Sequence, residues 1–224
     1  MSIALIHEDP NRKTHQIWDE ELGVFVLGSE NGTPHRHLSM CEHAVNTAYA
    51  EFRRTYGMER TRGLAKLGIV KAMKAANAHN HDMIKEGKPR SIYLNSVSLD
   101  IGVIIENDVY LVHVGSSGIY QCNNDSLKRL SEDHTIDGNN GDVLLQGVGL
   151  KQTIDEQRTK AILRTNDYLL LCNSEFCKVM GEERIRGSLY RTLEPVDEIA
   201  RNMKNEAISK GCNSICAVLY KLSN

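Results

Sequence analysis

The sequence has few aromatic residues, almost no net charge and no long apolar run. Aromatic side chains make up 5% of the 224 residues, which leaves no surface on which successive nucleic-acid bases would stack. The formal net charge is −2, so no overall field favours nucleic acid or an anionic membrane. No apolar segment reaches the roughly 18 residues that a membrane-spanning helix needs. We therefore expect neither nucleic acid nor a membrane as a partner.

The sequence also lacks a recognisable targeting signal and a zinc-binding cysteine pattern. Residues 1–9 turn acidic too early for a signal peptide, so the cytoplasm is the expected location. Six cysteines are present, but they form no C-x-x-C pair of the kind found in zinc fingers. Cys172 and Cys216 lie inside apolar runs, which indicates buried free thiols rather than disulfides.

Hydrophobic periodicity predicts both helices and strands. Residues 38–56 and 62–85 carry apolar side chains at helical spacing and predict two long helices. Residues 93–130 predict strands joined by short turns, arranged as an antiparallel meander. More strands and helices follow after residue 149, and no repeat or linker interrupts the chain. We expect one α+β domain over residues 1–224, with antiparallel sheets inside and helix pairs outside.

Short motifs follow one another along the chain from the first strand to the last. Residues 111–120 combine an apolar strand with a Gly-Ser-Ser turn, and residues 130–135 have the sequence Leu-Ser-Glu-Asp-His-Thr. Further motifs occupy residues 146–149, 169–175 and 211–218. In order and spacing this set resembles the metal-dependent protein phosphatases of type 2C. The resemblance implies a four-layer α-β-β-α sandwich with two central antiparallel sheets flanked by helix pairs.

The resemblance also implies a chemistry that most matching positions of this chain have lost. The family removes phosphate from serine and threonine of proteins with two Mg²⁺ or Mn²⁺ ions held by carboxylates, while an arginine binds the phosphate. Glu8 and Asp9 match the N-terminal acidic pair. Neutral residues stand where the other aspartates and the arginine are expected. These degenerate positions are Ser29, Ser116, Ser174 and Asn213 for aspartate, and Ala4 for arginine.

Glu30 and Glu175 each follow one of the missing aspartates by one residue. A shift of one residue reverses the direction of a side chain on a strand. We therefore expect both glutamates to face solvent or to pair with a nearby lysine or arginine. A relocated metal site built from Asp9, Glu30 and Glu175 stays open as an alternative. Residues 136–146 are shorter than the flap of the resembled family, so a short or absent flap is expected there.

Together these observations predict a catalytically inactive phosphatase-like domain, or pseudophosphatase, without a metal cofactor. Such a domain would act as a regulatory, protein-binding module whose partner is a kinase, a phosphoprotein or an assembly component. Two alternatives remain open. In the first alternative, the chain is an active serine/threonine phosphatase that uses Mn²⁺ or Mg²⁺ at a rearranged site. In the second, it is a structural subunit of a larger assembly.

Overall fold

The computed structural model describes residues 2–11, 13–30, 40–87, 96–123, 125–136, 143–190 and 194–223. The described residues form twelve strands and four helices. In chain order these are β1 (Ser2–Glu8), β2 (Thr14–Asp19), β3 (Val24–Glu30), α1 (Met40–Tyr56), α2 (Arg62–Gly87), β4 (Val97–Ile105), β5 (Asp108–Val114), β6 (Gly118–Cys122), β7 (Leu127–Arg129), β8 (Thr135–Ile136), β9 (Val143–Leu144), β10 (Gln157–Ile162), β11 (Tyr168–Cys172), α3 (Ser174–Leu189), α4 (Val196–Ser209) and β12 (Ile215–Lys221).

Ten of these strands build two antiparallel sheets. The first sheet has the order β1-β12-β11-β6-β7, and the second has the order β10-β5-β4-β3-β2. Helices α1 and α2 pack on the second sheet, and α3 and α4 pack on the first. A third apolar cluster joins the two sheets face to face. The predicted α+β class and its four-layer α-β-β-α order are therefore confirmed.

The central strands are apolar on both faces because helices pack on one face and the other sheet packs on the opposite face. On β3, Phe25 and Leu27 pack into the layer between the sheets, whereas Val24 and Val26 pack under the helices. All four side chains are fully buried. Burying a side chain of this size contributes about 1.5–3 kcal/mol, so a strand with two covered faces gains most when every position is apolar. This explains the run Val-Phe-Val-Leu.

Helix α1 follows the predicted apolar periodicity. On α1 the buried residues Met40, Ala44, Ala48, Phe52 and Tyr56 recur every four residues and cover the second sheet. α3 is bent at Gly181, whose φ of +68° is not helical. Within the described ranges, no helix combines the length and apolarity needed to traverse a lipid bilayer.

The chain crosses from the second sheet to the first between β5 and β6, so the predicted meander over residues 93–130 is wrong. β4 pairs with β5, but β6 pairs with β7 and β11 in the other sheet. The crossing occurs at Gly115, which has a φ of +117°. A Cβ atom there would lie 2.2 Å from Oγ of Ser98, so only glycine fits. Residues 93–95 of the predicted strand lie outside the described residues.

Candidate functional site

One end of the sandwich, called here the site end, brings distant parts of the chain together. Ser29, near the end of β3, pairs with Thr14 at the start of β2 and with Ser98 on β4. In the first sheet, Cys172 at the end of β11 pairs with Gly118 at the start of β6. The last residue of β1 lies opposite the first residue of β12. Antiparallel pairing thus brings the segments that carry the predicted site residues together at the site end.

The second sheet presents hydroxyl groups at the site end. Ser29 lies on the same face of β3 as Phe25 and Leu27, which pack between the sheets. It is 6% exposed, and Thr14 and Ser98 are its direct neighbours on that face. The position where the resembled family places a bridging carboxylate therefore holds a neutral side chain, and its direct neighbours on that face carry hydroxyls.

Ser116 lies in the turn between β5 and β6. Its backbone N–H donates to Oγ of Ser98 at 3.0 Å, and the two hydroxyl oxygens are 3.5 Å apart. The same turn is bound to His134, because the Gly115 N–H donates to Nδ1 of His134 at 3.2 Å and the His134 N–H donates to the Gly115 carbonyl at 2.8 Å. Burial, and next the neighbouring His113 ring, lower the pKa of His134 below 6.5. His134 thus fixes the turn that carries Ser116.

Ser174 begins α3 directly after the buried Asn173. The Asn173 amide donates to the Ser214 carbonyl at 2.9 Å and accepts from the Cys216 N–H at 3.0 Å, which fastens the start of α3 to the strand beside it. Ser174 and Ser116 both line a cavity of about 300 Å³, called here the site cavity. The other residues that line it are Tyr120, Arg129, Asp133, Cys177, Lys178, Gly181 and Glu182.

The N-terminal acidic pair is engaged in structural contacts. Asp9 accepts from the N–H and the hydroxyl of Thr14 at 2.5 and 2.8 Å, and from the Asn11 N–H at 3.2 Å, so it closes the turn between β1 and β2. Glu8 lies 2.9 Å from Nζ of Lys204 on α4. The hydrogen bond and charge of Lys204 lower the pKa of Glu8 below 4.5.

Glu30 and Glu175 both bind backbone N–H groups, a role that the sequence analysis did not anticipate. Glu30 accepts from the Cys41 N–H at 3.0 Å, in the first turn of α1. Glu175 accepts from the Asn213 N–H at 2.6 Å. The Asn213 side chain in turn donates to the Gly211 carbonyl at 3.1 Å. These contacts fasten the start of α1 and the loop before β12.

Ala4 occupies the position at which the resembled family carries its phosphate-binding arginine. It is 6% exposed and packs in the apolar cluster between the first sheet and helices α3 and α4. A methyl group donates no hydrogen bond to a phosphate, so this position provides no anion contact.

The residues described at the site end do not fit a pair of divalent cations. Mg²⁺ and similar hard cations need several oxygen ligands, with carboxylates supplying negative charge. Here four positions are neutral, and the remaining carboxylates accept hydrogen bonds from the chain itself. Within the described ranges, which omit residues 31–39, no three His, Cys, Asp or Glu side chains are grouped to hold a metal ion.

The predicted short flap at 136–146 lies partly outside the described residues, which omit 137–142. On either side of that gap, β8 and β9 pair with each other, so that Thr135 lies opposite Leu144. This two-stranded ladder was not predicted from the sequence.

A buried acid–base pair lies below the site end, and sequence reasoning missed it. Oδ1 of Asp100 is 2.6 Å from Nδ1 of His113, and Nε2 of His113 is 3.1 Å from the Glu132 carbonyl. Asp100 is 0% exposed and His113 is 2% exposed. The second oxygen of Asp100 is buried without a hydrogen-bond partner among the described residues. The signal in the sequence was Asp100, a single acidic residue in the otherwise mostly apolar segment that forms β4.

A larger cavity, of about 420 Å³, lies at the opposite end of the sandwich. Its lining includes Trp18, Tyr56 and Tyr220. None of the predicted site residues lines it, so the candidate site remains at the other end.

Comparison by sequence finds no match, whereas comparison by structure finds many chains of similar fold. No protein-family model matches the sequence. No curated protein matches it significantly either. The structure is nevertheless similar to 148 chains of solved structures, among them several serine/threonine phosphatases.

Three of these structures cover nearly the whole chain. PppA, described as a key regulatory component of T6SS in Pseudomonas aeruginosa, has a TM-score of 0.81 at 13% identity over 97% of this chain and 94% of its own. The Mycobacterium tuberculosis serine/threonine phosphatase PstP/Ppp has a TM-score of 0.80 at 16% identity over 100% and 98%. The PstP catalytic domain in complex with two manganese ions has a TM-score of 0.74 at 16% identity over 97% and 95%. The fold expected from the sequence motifs is therefore confirmed: this chain has the fold of the type 2C serine/threonine phosphatases.

Proposed function

We propose that this chain is a pseudophosphatase, a phosphatase-like domain that binds a protein partner and regulates it without removing phosphate. The observation that carries this proposal is the chemistry of the site end, where Ser29, Ser116 and Ser174 supply hydroxyls in place of carboxylates. The attraction between two unit charges about 4 Å apart is worth roughly 4 kcal/mol near a protein surface. Several such attractions are missing here, so two divalent ions would be held weakly.

The remaining acidic residues support the same proposal because each already makes a structural contact. Asp9 closes the turn between β1 and β2. Glu30 binds the first turn of α1, and Glu175 binds the loop before β12. Moving any of these carboxylates toward a metal ion would break a contact that the fold uses. These contacts weigh against the alternative of an active phosphatase with a metal site rebuilt from these carboxylates.

The site cavity supports the binding role. Its wall carries cationic Arg129 and Lys178 together with anionic Asp133 and Glu182. A small cavity with charges of both signs is suited to a polar segment of another protein, where complementary charges give specificity. PppA, which has the same fold, is described as a regulatory component. We extend a regulatory role to this chain, with a kinase, a phosphoprotein or an assembly component as the partner.

The loss of activity is tested with a phosphoserine peptide in the presence of Mn²⁺ or Mg²⁺. We expect the wild-type chain to release phosphate no faster than the double variant Glu8→Gln/Asp9→Asn, while PstP serves as the positive control. Circular dichroism verifies that the variant is folded, since Asp9 closes a turn. Metal-dependent release by the wild-type chain that clearly exceeds release by the folded variant would overturn the proposal.

The binding role is tested by affinity capture and mass spectrometry with a matched pair of charge reversals. Lys178→Glu changes the site cavity, whereas Lys85→Glu changes an exposed position near the end of α2. A partner of the site cavity should be captured by the wild-type chain and by Lys85→Glu, and at least tenfold less by Lys178→Glu. Equal capture by both variants would show that the partner binds elsewhere.

A further inference from the structure

Two cysteine thiols meet where β11 passes into α3. Sγ of Cys172, the last residue of β11, is 3.0 Å from Sγ of Cys177. A disulfide bond is about 2.05 Å long, so the two sulfur atoms need to approach by only about 1 Å. Gly118 on β6 lies against this contact, because a Cβ atom there would be 2.5 Å from Sγ of Cys177. The close packing keeps Cys177 beside Cys172.

The two thiols differ in access. All six cysteines lie within the described residues, and Cys177 is the one that is partly exposed, while the other five are buried. Cys177 also lines the site cavity, which opens the thiol to small reagents. Burial raises the pKa of Cys172 well above its ordinary value of 9.0. A reagent from solvent therefore meets Cys177 first, and Cys172 lies behind it as the partner thiol.

We propose that Cys177 and Cys172 form a modification site at which hydrogen peroxide oxidises the dithiol to a disulfide. In the first step the Cys177 thiolate attacks one peroxide oxygen, the O–O bond breaks, and hydroxide leaves and takes up a proton as water. Cys177 is then a sulfenic acid. In the second step the Cys172 sulfur attacks Sγ of Cys177, the S–O bond breaks, and the second water leaves with the Cys172 proton. Two thiols are oxidised and one hydrogen peroxide is reduced to two waters.

The disulfide would change the surface proposed above for partner binding. Cys177 and Ser174 lie in the first turns of α3 and both line the site cavity. Drawing Cys177 toward Cys172 would shift this wall of the cavity, so oxidation would alter partner affinity. This consequence rests on the proposed function, whereas formation of the disulfide does not.

The test treats the folded full-length chain with hydrogen peroxide, alkylates the remaining thiols and maps peptides by mass spectrometry. We expect a Cys172–Cys177 linkage, seen as a loss of about 2 Da that a reductant reverses. Cys177→Ser should abolish the linkage. Cys172→Ala should leave Cys177 without a resolving thiol and carry it on to sulfinic acid. Cys122→Ser, which removes a buried thiol on β6, should form the linkage as the wild type does.

The outcomes separate the site from its consequence. Sulfinic acid at Cys177 of the wild type without a disulfide, or a linkage between another pair, would overturn the proposed site. Cys172→Ala removes a buried side chain, so Cys177→Ser, at the partly exposed position, keeps the test valid if the former fails to fold. A disulfide that forms while partner capture stays unchanged would leave the site intact and would contradict only the regulatory consequence.

Discussion

Two polar groups in the layer between the sheets differ sharply in the side chains that form them. The outer group, Ser29, Ser98 and Ser116, lies at the site end and consists of hydroxyls. The inner group, Asp100 and His113, lies two residues further along β4 and is an acid–base pair almost completely buried. The fold thus holds a carboxylate deep in its interior and has none at the outer group, where the resembled family holds metal ions.

The difference follows from what each group can pair with. A buried polar group is tolerated when a hydrogen bond offsets its desolvation, and His113 supplies such a partner to Oδ1 of Asp100. Carboxylates crowded at the site end would repel one another unless a cation lay between them. If the chain binds no cations, as we propose, hydroxyls at Ser29 and Ser116 avoid that repulsion. The contrast between the two groups is the one expected if the site proposed above holds no metal ions.

The largest expected effect comes from breaking the inner pair. Asp100→Ala leaves Nδ1 of the buried His113 without its nearest partner. An unsatisfied buried polar group typically costs about 1–3 kcal/mol, and the lost packing of the Asp100 side chain adds to this cost. We expect the urea midpoint of the variant to fall accordingly, with little change in the slope of the transition.

The double variant Asp100→Leu/His113→Leu is the control for that measurement. It replaces both members by apolar side chains, which is often neutral or stabilising in buried pairs. Near-equal stability of Asp100→Ala and the wild type would show that the pair contributes no net interaction.

The second effect comes from adding negative charge at the site end. The triple variant Ser29→Asp/Ser116→Asp/Ser174→Asp should be less stable than wild type without metal, because three like charges are added to one end. Mn²⁺ should then stabilise it, by about 2.7 kcal/mol at 100 times the dissociation constant. The matched triple asparagine variant has the same size without the charge and should not respond in a thermal shift assay. An equal response of the wild-type chain to Mn²⁺ would contradict the proposed neutral site.

Much of the fold could be predicted because its helices and central strands carry strong periodic patterns. α2 was expected over residues 62–85 and spans Arg62–Gly87. The crossing between sheets at Gly115 could not be predicted, because the short turn there looks the same in sequence whether the next strand pairs within the sheet or leaves it. The strands β8 and β9 were missed because two residues are too few to show a period.

The site was only partly accessible from sequence. The motifs located Ser29, Ser116 and Ser174, and the structure places all three at the site end. Contacts between residues far apart in the chain were not accessible. Asp100 meets His113 because β4 and β5 pair in one register, and Glu30 accepts from the N–H of Cys41 at the start of α1. A sequence shows which groups are present, but register and loop closure decide which of them meet.

A smaller effect is expected at the edge of the site end. Glu30→Ala removes the acceptor for the Cys41 N–H in the first turn of α1. Loss of such an acceptor typically costs about 1 kcal/mol, and chemical denaturation would measure it. We expect the same loss with and without Mn²⁺. If Mn²⁺ stabilised the wild-type chain but not the variant, Glu30 would be a metal ligand and the relocated site would be real.

The smallest effect is the pH dependence that His134 gives to the free energy of unfolding. The folded chain holds the pKa of His134 below 6.5, so the unfolded chain binds a proton at this position at higher pH than the folded chain does. Stability due to this residue is therefore complete above about pH 7 and falls as the pH drops through about 6.5. His134→Asn can keep an acceptor near the Gly115 N–H but does not titrate. We expect its free energy of unfolding to decrease less than that of wild type between about pH 7.5 and pH 5.5. Parallel pH profiles for the two proteins would show that His134 titrates alike in the folded and unfolded chains.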